Sequence, residues 1–198
     1  MSGWPTVPGE TPIDDVSGLK IRSVTNRAEL NQAEAENIRR AVVKYLLAKP
    51  NPRSARFDLA WSKRLHREMF GRVWRWAGEI RRTNLNIGIE HYQVETSLQV
   101  LLDDLRFWGQ HATVGILEQT VLLHHRAVQI HPFLNGNGRW ARMLANVWCK
   151  LRDGRVINWP EDVIGTQSSI RGDYLTAIKA ADRGDFAALT EMHNKYMK

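Results

Sequence analysis

His131, Asn135, Gly136, Asn137, Gly138, Arg139 and Arg142 fall within one stretch, HPFLNGNGRWAR, residues 131–142. Packing has little use for that mixture, whereas an anion site uses all of it. Gly136 and Gly138 let successive backbone N–H groups turn toward one point and let a ligand approach the main chain. A helix starting at Asn137 adds unpaired N–H groups and the positive end of its dipole. Arg139 and Arg142 are three residues apart and so share one side of that helix. Both can fork onto phosphate oxygens. His131 stands at the rim, and an imidazole with an ordinary pKa of about 6.5 can accept a proton in neutral solution. A base beside a polyphosphate cradle suggests one reaction class: a hydroxyl loses its proton and attacks a nucleotide phosphorus, and the rest of the nucleotide leaves. A glycine-rich helix cap with exposed arginines accounts for one glycine, not for the constellation.

The elements that must hold these residues read as helices. Asn26 and Glu29 have capping-box spacing, and Ile38, Ala41, Val42, Tyr45 and Leu46 give the stripe of a helix to about Ala48. A second helix is predicted from about Phe57 to Phe70, on Trp61, Leu65 and Met69. Leu98, Leu101, Leu102, Leu105 and Trp108 mark a third. Thr113 is placed to cap a fourth that buries Val114, Leu117, Val121 and Val128. The motif follows, with Phe133 as its apolar plug, and then a helix on Trp140, Leu144, Val147 and Leu151. Two more patterns, around Tyr174–Ala181 and Phe186–His193, are split by an RGD turn. Residues 83–94, TNLNIGIEHYQV, alternate at Leu85, Ile87 and Ile89 around Gly88 and predict a small β-hairpin. The fold class is all-α, about seven helices with one hairpin. Residues 1–24 read as an irregular arm, either docked by Trp4 or mobile, and 25–198 as the domain.

Composition bounds the rest. The chain has 198 residues, 43% of them hydrophobic, and eight tryptophans, enough for one sizeable core. The net charge of +7 fits a nucleic acid, an anionic nucleotide or an acidic protein. Nucleic acid is disfavoured because the basic residues are spread along the chain. One cysteine, Cys149, excludes an internal disulfide framework and points to a reducing compartment. No apolar run has the length of a membrane span, and the N-terminus lacks the pattern of a secretory signal, so the cytoplasm is expected. His124 and His125 lack acidic or cysteine partners at metal-ligand spacing and read as core or interface histidines. Trp74 and Trp76 read as packing beneath the hairpin.

HPFLNGNGRWAR resembles the signature of the Fic (Fic/Doc) family, H-P-F-x-D/E-G-N-G-R-x-x-R, agreeing at eight of nine defined positions. LHREMFGRVWRWAGEIRRTN and GDYLTAIKAADRGDFAALTEM are similar to the family's helix leading into its flap and to its C-terminal helices. The resemblance implies transfer of AMP from ATP to a Ser, Thr or Tyr hydroxyl of a target protein. It implies His131 as general base and residues 136–138 as the phosphate turn, with Arg139 and Arg142 on the outer phosphates. The hairpin, with Thr83, Leu85 and Ile87, becomes a flap that receives the target by strand addition. The family's acidic residue, a Mg²⁺ ligand, is Asn135 here, so weakened Mg²⁺ binding is expected. That departure keeps two alternatives open: transfer of another phosphate-linked group, or a nucleotide-binding regulator with little catalysis, one half of a pair with a regulatory partner protein. QAEAEN, residues 32–37, resembles the family's inhibitory pattern S/T-x-x-x-E-G/N, making residues 25–48 an inhibitory-helix candidate with Glu36 set against Arg142. The alternative for Glu36 is an exposed pair with Arg40.

Overall fold

The structure, a computed structural model, describes residues 16–48, 51–111, 113–166 and 168–198. Trp4 and the rest of residues 1–15 of the predicted arm lie outside the described residues. Among the described residues there are seven helices of ten or more residues and a single-turn one. They are α1 (Arg27–Val42), α2 (Leu59–Phe70), α3 (Val94–His111), α4 (Ile116–Ile130), α5 (Asn137–Asp153), the short α6 (Glu161–Ile164), α7 (Ser169–Ala181) and α8 (Ala187–Tyr196). A π turn, Val43–Leu47, prolongs α1. The all-α expectation holds.

The helices start where side chains can cap them. Asn26 accepts from Glu29 N at 3.1 Å, and Asp58 accepts from Trp61 N at 2.6 Å. Helix α4 begins later than expected, with Gly115 rather than Thr113 at its cap. Helix α5 is buried on nearly every side, from Trp140 and Ala141 through Cys149, and packs on α4 and α2. Its buried residues include polar Arg142 and Asn146, each of which is hydrogen-bonded. One cluster joins α1 to α5 around Leu65, Leu102, Phe133 and Trp140. A second, around Trp159, Tyr174 and Leu189, joins α4 to α7 and α8. Arg142 emerges from α5 beside Tyr174 of this second cluster, so the motif sits at the seam.

The predicted hairpin is not formed. Residues 83–90 are an irregular loop without a strand. Leu85, Ile87 and Ile89 are half-buried and their neighbours exposed, so the alternation is physically real. Period two identifies an extended chain but supplies no partner for it. The loop's two limbs are joined instead by the Arg81 guanidinium, which donates to Thr83 O at 2.9 Å and to Ile89 O. Residues 18–20 lie along 73–75: Lys20 N donates to Val73 O at 2.8 Å and Arg75 N to Gly18 O at 2.9 Å. Trp74 and Trp76 stack at 5.0 Å under this segment, next to α1, rather than beneath the loop. No helix among the described residues is long and apolar enough to cross a membrane.

Candidate functional site

His131 caps α4 in a left-handed conformation, with φ at 53° and ψ at 62°. Histidine tolerates that region better than most residues, and such backbone states concentrate at functional sites. Its Nδ1 lies 3.3 Å from Val128 O. A carbonyl can only accept, so Nδ1 carries the proton and Nε2 is the basic nitrogen. Burial, together with the nearby Arg81 cation, lowers the His131 pKa to about 4 against the weaker pull of the Val128 carbonyl. The ring is neutral in neutral solution.

The loop from Phe133 to Gly136 is pinned from below. Phe133 is fully buried, stacked 3.7 Å from His66 and edge-on to Trp140 at 5.0 Å. Burying such a ring contributes about 1.5–3 kcal/mol. His66 receives Gly78 N–H on Nδ1 at 2.9 Å and therefore donates from Nε2 to Asn135 O at 3.0 Å. Burial lowers its pKa to about 3, so it holds this pair as a neutral ring. Asn137 faces inward: its amide receives Phe133 N–H and donates to Phe133 O, both at 2.8 Å. Its side chain is thus committed to the loop, and main chain is what it offers a ligand. Gly136, at φ 77°, sits against Phe70, where an added Cβ would be 2.6 Å from the ring. No side chain caps α5, so its first turn offers amide hydrogens.

Asn135 Oδ1 turns back to Gly136 N at 2.6 Å. At the position where a Mg²⁺-binding acid was expected there is a neutral amide whose oxygen already accepts a hydrogen bond. Magnesium favours charged oxygen donors in near-octahedral array. Among the described residues no group of three His, Cys, Asp or Glu is placed to hold a metal. The residues present therefore do not form a good Mg²⁺ site.

Each cradle arginine holds a carboxylate. Arg139 donates to Glu34 Oε2 at 2.7 Å and lies 4.9 Å from the Phe70 ring centre. Glu34, buried on α1, also accepts from Trp74 Nε1 at 2.6 Å. Arg142 donates from Nε to Glu161 Oε1 at 2.7 Å and from its other arm to Oε2. Burial works against the Arg142 charge, but Glu161 and Tyr174 outweigh it and raise the pKa. Behind Tyr174 runs an ordered chain. His193 Nδ1 donates to Leu189 O at 2.7 Å, His124 Nδ1 to His193 Nε2 at 3.2 Å, and Tyr174 OH to His124 Nε2 at 3.0 Å. His124 and His193, both pushed down by burial, are accordingly core histidines.

Glu36 does not meet Arg142. Its carboxylate pairs on the surface with Arg39 at 3.0 Å and Arg40 at 3.5 Å. The reason is helical phase: Leu30, Glu34, Asn37 and Ala41 form the buried face of α1, and Glu36 falls outside it. Asn37, the next residue of that pattern, donates to Glu68 O at 2.8 Å and accepts from Arg72 N at 2.9 Å, capping the end of α2. Thr83 is exposed, and Leu85 and Ile87 are half-buried, on the loop whose Gly88 touches His131. Sequence reasoning missed Glu34, His66, Arg81 and Glu161. His66 and Glu34 left a signal, each as a polar residue on a buried stripe, of α2 and α1 respectively.

His131, Asn135, Gly136, Gly138, Arg139 and Arg142 line one end of a cleft of about 1030 Å³. Ligand pockets usually span about 300–1,000 Å³. Residues 56–149 match the family model described as Fic/DOC family. The chain carries a Fic/DOC domain. This domain is 32% identical over 125 residues, 61% of the chain, to "Protein adenylyltransferase Fic" of Drosophila grimshawi. The match covers 24% of that relative, so the chain spans about a quarter of its length. The fold is similar to that of the BepC protein, a VirB-translocated effector of Bartonella tribocorum with bound AMPPNP. The TM-score is 0.68 at 17% identity, covering 93% of this chain and 94% of that one. A Fic domain of a Bep effector from Bartonella quintana, with bound ADP, gives 0.67 at 18% identity, covering 94% and 93%.

Glu161→Gln tests what the Arg142 carboxylate does. Arg142 is buried and Glu161 is 44% exposed, so losing the carboxylate leaves a buried guanidinium in want of another anion. Removing its charge is expected to tighten ATP binding several-fold in calorimetric titration. Weaker binding would mean instead that Glu161 aims Arg142 at the phosphates.

Proposed function

We propose that this Fic/DOC domain transfers AMP from ATP to a Ser, Thr or Tyr hydroxyl of a target protein. One observation carries the reading: a neutral imidazole opens onto the same cleft as an uncapped helix N-terminus flanked by two arginines. His131 Nε2 takes the hydroxyl proton, and the oxygen attacks the α-phosphorus. The α–β phosphoanhydride breaks and pyrophosphate leaves. Residues 136–138 hold the phosphates by main chain, and Arg139 and Arg142 take the charge of the leaving pyrophosphate. Phosphoryl-type transfer needs little more than this positioning and charge stabilisation. The half-buried loop of Leu85 and Ile87 receives the target segment, where backbone pairing leaves target identity to other contacts. The buried Cys149 suits a cytoplasmic setting.

ATP labelled separately at the α and γ positions tests the reaction. Label from the α position should appear on protein, and label from γ alone would favour phosphate transfer. Asn135→Asp tests the departed acid. It should lend the transfer a Mg²⁺ dependence and raise it about tenfold or more, since a metal on a phosphoryl oxygen contributes several kcal/mol. A second reading, nucleotide binding with little turnover under a partner protein's control, is favoured by the amide at 135 and by arginines already paired. It predicts ATP binding with no transfer in wild type or Asn135→Asp.

A further inference from the structure

Arg81 belongs to no part of the cradle, yet it is 2% exposed and ties together three segments. Its backbone N donates to Pro132 O at 3.0 Å and its Nε to His131 O at 2.7 Å. One terminal nitrogen donates to Thr83 O at 2.9 Å; the other reaches Ile89 O, with Ile130 O at 3.5 Å. Two of these carbonyls close the loop 83–90, and two end α4 at the base. Gly88 completes the joint: an added Cβ would stand 2.6 Å from His131 Cβ, and φ is +105°. A planar fork reaches four carbonyls in fixed geometry, which an ammonium cannot copy.

We propose that Arg81 is a positioning residue for the transfer, locking the target-receiving loop and the His131 main chain into one rigid unit. The proposal rests on the transfer reading above. Loop and base then keep a constant offset, so a hydroxyl held by the loop arrives at Nε2 and nowhere else. The same guanidinium is the cation that bears on the imidazole. Glu90 faces Arg81 from the loop's far limb. Of the other charges of the site, Arg139 pairs with Glu34 and Arg142 with Glu161.

The test compares Arg81→Gln, Arg81→Lys and Gly88→Ala in the full chain. It measures ATP affinity, transfer kinetics and the titration of the His131 ring by NMR with ¹³C-labelled histidine. ATP affinity should stay near wild type in all three. Transfer should fall at least about tenfold, with a raised KM for target, the cost expected of a misplaced reacting group. Arg81→Gln should move the His131 midpoint up from near 4, and Arg81→Lys, which keeps the charge, much less. An unmoved midpoint together with unchanged transfer overturns the proposal; so does parallel loss of ATP binding. If an Arg81 variant fails to fold, Gly88→Ala decides, because it opens the joint and keeps the guanidinium: wild-type transfer there overturns it. If wild type transfers nothing, the transfer reading fails, and the ring titration still decides whether Arg81 governs the base.

Discussion

His131→Ala is expected to lower AMP transfer about 10²–10⁴-fold, the usual contribution of a general base, while ATP affinity stays near wild type. The cradle is made of main chain and arginines, so binding and chemistry should separate. The pH profile of the wild type carries a second signature. The base works only when neutral, and its pKa is lowered to about 4. The rate should hold steady as pH falls past the ordinary imidazole value of about 6.5 and decline only near 4. Initial rates across that range, at saturating ATP, measure it. An acid limb near 6.5 would mean that the working base has the ordinary imidazole pKa, whereas equal labelling of wild type and His131→Ala would remove His131 from the chemistry.

Asn137→Ala is expected to have the largest effect on stability within the motif. It strands Phe133 N–H and Phe133 O, both buried and each now paired at 2.8 Å. A stranded buried group costs about 1–3 kcal/mol, so the pair should cost about 2–6 kcal/mol. Asn137→Asp, which can still accept from Phe133 N–H but cannot donate to Phe133 O, should lose less. Urea unfolding measures both, and ATP titration should show the cradle weakened in step with the loop. Wild-type stability in Asn137→Ala would mean that the asparagine serves the ligand rather than the loop.

Much of the architecture was legible because its causes are local. The stripe of α5 and the punctuation by Gly136 and Gly138 are encoded within a few residues. So is the cap at Asn26. What escaped is contact across long separations. Glu34 lies 105 residues from Arg139, His66 69 from Asn135, and Arg81 50 from His131. No spacing rule relates such pairs; only the packing of α1, α2 and α4 around α5 brings them together. Glu36 illustrates the same limit. A pattern selected it, but the turn of α1 gave the buried position to Glu34, two residues earlier. At residues 83–90 the alternation was correctly read, but a strand needs a neighbour, and the neighbour was a single guanidinium.

The carboxylates on Arg139 and Arg142 give the cleft the character of an ion exchanger. Glu34 comes from the first helix and Glu161 from the sixth, so the two resident anions are held by separate elements. A polyphosphate entering between them swaps one set of negative charges for another, and the local charge balance changes little. A ligand that reaches both guanidinium groups at once is then expected to bind more tightly than a lone phosphate. Tail length becomes a criterion of entry, set by the spacing of two arginines one helical turn apart.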